Sequence, residues 1–178
     1  IDNWTMTADV GKLEEDGTVH DPYRIDYMRG HVEAMDISEE ALAVARENAT
    51  SLGAKVAFRK ADILQWREWH ALPAAEKYDI IVSNPPYICR KEAAEMERNV
   101  LDHEPEIALF VPDNDPLLFY RAIAEFGREA LAEGGRIAFE INRAYGSEMC
   151  SMLSALGYHD AEVIDDRFGN PRIVLCRR

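Results

Sequence analysis

Residues 83–88 read Ser-Asn-Pro-Pro-Tyr-Ile, directly after the apolar run YDIIV. Both prolines lack an amide N–H, so this turn offers carbonyl acceptors with few competing donors. Asn84 precedes a proline and is pushed to an extended conformation. These constraints can aim the Asn84 side-chain carbonyl and neighbouring main-chain carbonyls at one point, where they accept the two hydrogens of a planar –NH₂ group. A planar amide nitrogen is a poor nucleophile because its lone pair is delocalised. Holding both hydrogens between acceptors favours the pyramidal form in which that lone pair is available. Tyr87 adds a flat face for stacking that tolerates a sulfonium cation. No Ser, Cys or His nucleophile is needed. A plain strand stop accounts for a proline, but not for Asn84, Pro85, Pro86 and Tyr87 together.

Two aspartates extend the pattern. HVEAMD reads as a strand ending at Asp36, KVAFRKAD as a strand ending at Asp62, and YDIIVSN as a near-continuous apolar strand that must stop at Asn84. The last is expected to be a central parallel strand covered on both faces. In open α/β sheets, ligands bind outside the carboxyl ends of the strands. A carboxylate at Asp36 suits a ribose diol, because it accepts two hydrogen bonds, and one at Asp62 can accept from an exocyclic adenine amine. Each aspartate taken singly is an ordinary strand terminator. As a set with residues 83–88 they outline one crevice.

The elements that must position these groups alternate from residue 36 onward. DISEEALAVARENATSLG reads as a helix with Ser38 as N-cap, Glu39 and Glu40 in its first turn and Gly53 as terminator. DPLLFYRAIAEFGREALAEGG reads as an amphipathic helix stopped by Gly134 and Gly135, and RIAFEIN as the strand after it. YGSEMCSMLSALGY is a further helix, with Met149 and Met152 as core fillers, and DAEVIDD and PRIVLCRR are a final pair of strands. This alternation predicts an α/β fold with a doubly wound, mostly parallel sheet and right-handed crossovers. Before residue 31 the pattern is less regular: TADVG suggests a short strand and DPYRIDYMRG a helix started by Asp21 and Pro22. The whole chain, 1–178, is read as one domain with an atypical segment at 1–31.

Composition narrows the classes. At 178 residues, 47% hydrophobic and 30% charged, the chain has the make-up of an ordinary globular domain. No apolar run approaches the roughly 20 residues of a membrane span, and the first ten residues carry no leader pattern. The formal charge of −13 opposes a large nucleic-acid footprint, which needs clustered Lys and Arg. Cys89, Cys150 and Cys176 are odd in number and widely spaced, which suits a reducing cytoplasm, and neither they nor the five scattered histidines have metal-ligand spacing. Trp66 and Trp69, three apart, read as core or lid packing, and RKEAAEMERN as a solvated helix.

Asn-Pro-Pro-Tyr is similar to the motif of methyltransferases that use S-adenosylmethionine and act on planar –NH₂ groups. The stretch NPPYI…VLDHEPEIALFVPDNDPLLFYRAIAE, with AMDISEEALAVARENA and FEIN, resembles the catalytic domain of the release-factor glutamine N5-methyltransferases, the HemK family. The resemblance runs from about Val32 to Arg178, and LDHEPEIAL is its specific part. It implies a class I, Rossmann-like methyltransferase fold with S-adenosylmethionine as cofactor. The substrate it implies is the glutamine of the Gly-Gly-Gln loop of a peptide chain release factor. By this likeness Asp36, with Ile37 next to it, holds the cofactor ribose. Asp62 meets the adenine with Ile63 beside the ring. Asn84, Pro85 and Pro86 bind the substrate amide, and Tyr87 packs against it. Glu104 and Pro105 resemble the family's Glu-Pro after the substrate loop and are given a supporting place.

The chain departs from that family near its start. The family's glycine-rich first loop has no counterpart. Its nearest match is ADVGKLEEDG, where Gly11, 25 residues before Asp36, keeps the spacing of roughly 20 expected between a βα turn and the ribose acid. Residues 12–35 instead resemble a segment of family 1 β-glycosidases, whose barrel of about 250 residues this chain is too short to form. The substrate-recognition domain that precedes the family's catalytic domain is also not expected here. Two other functions stand beside the main reading. Adenine N6-methylation of DNA is opposed by the acidic charge and the LDHEP continuation. A catalytically inactive remnant, perhaps a binding module, is favoured by the missing glycine run.

Overall fold

The computed structural model describes residues 12–13, 19–20, 32–69, 77–95 and 105–178. Its contacts cluster in two compact units, residues 1–61 and 62–178. The expectations placed on Gly11, on residues 7–11 and 21–30, and on Glu104 lie outside the described residues.

In the first unit, β1 (Lys12–Leu13) pairs antiparallel with β2 (Val19–His20). Then β3 (Val32–Asp36), α1 (Glu39–Leu52) and β4 (Val56–Lys60) form a βαβ unit with the two strands parallel, in register from Val32↔Val56 to Asp36↔Lys60. The helix begins where a cap can satisfy its free amides: Ser38 Oγ accepts from the Ala41 N–H at 3.1 Å. It ends at Gly53, whose φ of 65° is a left-handed turn that a side chain would strain. Leu42 is its buried residue.

The second unit opens with one 3₁₀ turn, Ile63–Gln65, and the single turn α2 (Trp66–Trp69). There follow β5 (Tyr78–Ser83), β6 (Ile88–Cys89), a 3₁₀ segment Arg90–Glu95, α3 (Glu106–Leu109) and β7 (Phe110–Val111). The remainder is α4 (Leu118–Ala130), β8 (Leu131–Glu140), a 3₁₀ turn Arg143–Tyr145, α5 (Gly146–Ala155), β9 (His159–Asp165) and β10 (Pro171–Arg177). The four-stranded sheet has the order β5–β8–β10–β9. Strands β5 and β8 are parallel, joined by a crossover that contains α4, and β10 returns antiparallel between β8 and β9.

Several expected boundaries move. Strand β4 stops at Lys60, and Asp62 caps the 3₁₀ turn instead of closing the strand. Helix α4 stops at Ala130, because Leu131 is drawn into pairing with Tyr78. The Gly134–Gly135 pair therefore lies inside an irregular strand start, with Gly134 at φ 76°. Strand β5 buries one face only. Ile81 packs on the core, whereas Ile80 and Val82 are 47% and 76% exposed, the latter two being neighbours on the other side of the pleat.

The core of this unit lies between β8, β10, α4 and α5. Tyr120, Ile123, Leu131, Ile137, Phe139, Met149, Leu153 and Val174 are all buried in it. Met149 is a core filler as expected, and Met152 packs against the same cluster. Trp66 is buried, and its ring and that of Trp69 lie 6.0 and 5.7 Å from Phe126, so the pair packs rather than offering a stacking platform. The helix comes close to the sheet at Gly127. A Cβ there would stand 2.8 Å from Ile137 Cδ1 and 2.6 Å from the Tyr158 hydroxyl, which itself donates to the Ala124 carbonyl at 2.7 Å.

Candidate active site

Asp36 and Ile37 belong to the first unit. The Asp36 carboxylate accepts the Ser38 N–H at 2.7 Å, and its main-chain carbonyl accepts the Ala61 N–H at 3.0 Å. The strand end is thus tied to the start of α1 and to the end of β4. Asp36 is half-buried and Ile37 is exposed.

Asp62, Ile63 and the corner at 84–87 belong to the second unit. Asp62 Oδ1 accepts the Leu64 N–H at 2.9 Å, and its main-chain carbonyl accepts from Trp69 Nε1 at 2.8 Å. Ile63 and Tyr87 pack against one and the same core cluster. Each aspartate has one oxygen engaged by its own loop and the other without a hydrogen bond from the described residues. Acceptors of this kind match a ribose diol and an exocyclic amine in donor–acceptor sense.

The corner itself is set by β5. The strand ends at Ser83, one residue before Asn84. Asn84 is exposed, and no described residue bonds to its side-chain amide, whereas Pro85 is buried and Pro86 half-buried. The prolines fix the turn and leave the amide outward.

The residues after the corner hold it down. Ile88 and Cys89 pair in parallel with Phe110 and Val111, so the chain beyond the tyrosine is tied to the strand that follows α3. The Lys91 N–H donates to Asp113 at 3.0 Å, and Arg90 reaches Glu106 at 3.3 Å. The expected solvated helix at 90–99 is, where described, a 3₁₀ segment whose Glu92 is half-buried and accepts the Cys89 N–H at 3.1 Å. Pro105 is exposed at the start of α3.

The end of β8 supplies the remaining contacts, from residues to which the sequence assigns no role. The Tyr87 hydroxyl donates to Glu140 Oε1 at 3.3 Å, a carboxylate also met by Arg172 at 3.3 Å. Burial, then the neighbouring Glu140 charge, pushes the Tyr87 hydroxyl above its ordinary pKa. Tyr120 donates to the Glu140 main-chain carbonyl at 3.0 Å. Asn142, 9% exposed, donates through Nδ2 to the Tyr87 carbonyl at 3.3 Å and to Glu92 Oε2 at 3.1 Å, and accepts the Ala144 N–H at 3.0 Å. The sequence shows FEIN as a strand with a resemblance, but not the reach of its last residues to Tyr87. Cys89 is no nucleophile: it is buried, its thiol lies 3.5 Å from the Tyr145 hydroxyl, and burial raises its pKa. Among the described residues no group of three or more His, Cys, Asp or Glu could hold a metal ion, and no helix is long and apolar enough to cross a membrane.

Comparison with known proteins identifies the family and the fold. Residues 17–153 match the family described as a methyltransferase domain, a span that includes most of the stretch likened to a β-glycosidase, for which the comparisons give no support. A release factor glutamine methyltransferase of Bacteroides thetaiotaomicron is 54% identical over 147 residues, covering 83% of this chain and 51% of that protein. One from Flavobacterium psychrophilum is 40% identical over 141 residues, covering 79% and 48%. The chain thus spans about half the length of these curated relatives. Among solved structures, a methyltransferase from Pyrococcus furiosus superposes with a TM-score of 0.55 at 18% identity, covering 83% of this chain and 61% of that one. An O-methyltransferase from Thermotoga maritima gives 0.54 at 18%, covering 84% and 50%. These two share the fold, and it is the class I methyltransferase fold implied by the resemblance, in keeping with the α/β alternation of strands and helices. With more than half of its residues matched, the chain belongs to the methyltransferase-domain family.

Proposed function

We propose that this chain transfers a methyl group from S-adenosylmethionine to the side-chain amide nitrogen of a glutamine in a peptide chain release factor. The observation that carries the proposal is the exposed Asn84, whose side-chain amide bonds to none of the described residues, beside the buried Pro85. The names of the relatives at 54% and 40% identity support the same substrate, and the methyltransferase-domain match supports the cofactor. The Gly-Gly-Gln loop is the segment proposed to enter.

In this reading Asn84 Oδ1 and the Pro85 carbonyl accept the two N–H groups of the glutamine amide, Pro86 stiffens the turn and Tyr87 packs against the amide plane. Bound S-adenosylmethionine supplies an electrophilic methyl group on a sulfonium. Asp36 takes the ribose hydroxyls with Ile37 alongside. Asp62 accepts from the adenine amine with Ile63 beside the ring, and Gly11 is the nearest match in sequence to the glycine-rich loop that serves the cofactor. Positioning and fixed acceptors supply the catalysis, and no covalent intermediate is required. Free Cys89, Cys150 and Cys176 support a cytoplasmic location.

The test is methyl incorporation from labelled cofactor, run in parallel on release factor and on adenine-containing DNA. Label in a glutamine amide of the release factor is expected. Label in DNA alone would overturn the substrate. A calorimetric titration with no heat at millimolar cofactor would overturn the enzyme reading altogether.

A further inference from the structure

We propose that Asn142 is a positioning residue of the transfer, acting through the main chain of Tyr87. This inference rests on the amide-clamp reading above and deepens it. A clamp made of one side chain and one main-chain carbonyl works only if the turn carrying them points in one direction. Prolines fix φ but not the orientation of the whole corner relative to the sheet. Something outside residues 84–87 must do that.

Asn142 is placed to do so. It is a buried polar side chain two residues beyond β8, the strand that pairs in parallel with β5. Both of its amide hydrogens are used, one on the Tyr87 carbonyl at 3.3 Å and one on Glu92 Oε2 at 3.1 Å. Its oxygen is used as well, on the Ala144 N–H at 3.0 Å. The side chain is therefore satisfied at every polar atom and cannot rotate without breaking several bonds at once. Glu92 is held in turn by the Cys89 N–H at 3.1 Å. The corner is thereby gripped on both sides of Ile88, at the Tyr87 carbonyl and at the Cys89 amide. The Asn142 bond directs the Tyr87 carbonyl toward the frame, and the acceptors assigned to substrate are those of Asn84 and Pro85.

Two variants of the full-length protein, with Asn142→Asp alone as the reference for melting, test the assignment, with turnover, substrate KM, cofactor affinity and melting temperature measured on each. The paired exchange Glu92→Gln with Asn142→Asp reverses the donor and acceptor between these two side chains. The new amide at position 92 still accepts from the Cys89 N–H and now donates to the new carboxylate at position 142, while the Tyr87 carbonyl loses its donor. Asn142→Ser keeps the cap on Ala144 and loses both long contacts. Both variants are expected to bind cofactor within about twofold of the parent and to lose at least tenfold in kcat, with melting restored in the paired exchange relative to Asn142→Asp alone. Turnover in the paired exchange within twofold of the parent would overturn the assignment, because the link between positions 92 and 142 alone would then suffice. Failure of both variants to fold would overturn it in favour of a structural role. A parent protein that methylates nothing defeats the proposed function itself, a result distinct from either of these.

Discussion

Two strand ends carry the candidate chemistry, and they are held in opposite ways. The Asp36 end is closed by its own neighbourhood: its carboxylate grips Ser38 two residues on, and Ser38 caps the helix after it. The Asn84 end leaves its side chain without a bond from any described residue, and its corner is held at Tyr87 from far away, by Glu140 and Asn142, more than 50 residues later in the chain. A site for a fixed cofactor group can be a self-contained turn. A clamp that must impose geometry on an incoming amide needs a frame that its own turn does not supply.

That contrast can be broken experimentally, beginning with the frame. Phe139 is fully buried one residue before Glu140, and its ring meets Tyr120 edge-on at 5.4 Å. Phe139→Ala is expected to cost about 3–5 kcal/mol, read from denaturant unfolding followed in the second unit. A loss under about 1 kcal/mol, far below that range, would show that the frame is not what supports the corner. Next comes the clamp: Asn84→Ala should lower kcat roughly a hundredfold or more with cofactor affinity nearly unchanged by calorimetry. Preserved turnover would remove the clamp from the mechanism. Asp36→Ala should do the reverse, weakening cofactor about tenfold or more through a lost charged hydrogen bond, with saturated turnover little affected. The smallest effect is expected from Tyr87→Phe, which removes a hydroxyl whose bond to Glu140 is long at 3.3 Å. A stability loss of about 1 kcal/mol or less is predicted, and a larger one would rank Glu140 above Asn142 as the corner's anchor.

Alkaline pH tests the frame as well. Burial raises the pKa of the Tyr120 and Tyr158 hydroxyls. A folded-state pKa above the unfolded one means the neutral form is favoured by folding, so this stability is present below about pH 10, the unfolded tyrosine value, and is lost as pH rises beyond it. Melting temperature should fall above that pH, and Tyr120→Phe should flatten the fall. An equally steep decline in the variant would exclude Tyr120 as a contributor.

The same division explains what could be read from the sequence. Ser38, Gly53 and, to within one residue, the strand stop ahead of the prolines were legible because cap, left-handed turn and proline all act within a few residues. The helix end at Ala130 was not, because a Gly-Gly pair nearby looked like the natural stop while pairing of Leu131 with Tyr78 decided the matter. Nor was Glu92, whose acidic run reads as solvated although its carboxylate bridges Cys89 and Asn142. No local pattern announces a partner 50 residues away.

The placement of β10 between β8 and β9 has a consequence for synthesis. On a ribosome β9 emerges before the only strand it pairs with among those described, and β8 waits for the same partner on one edge. Until residues 171–177 are free of the exit tunnel, two strand edges stand open, and vectorial folding of this sheet cannot finish early. A nascent chain stalled a few residues after Asp165 should therefore be far more prone to aggregation and proteolysis than one that has cleared Arg177.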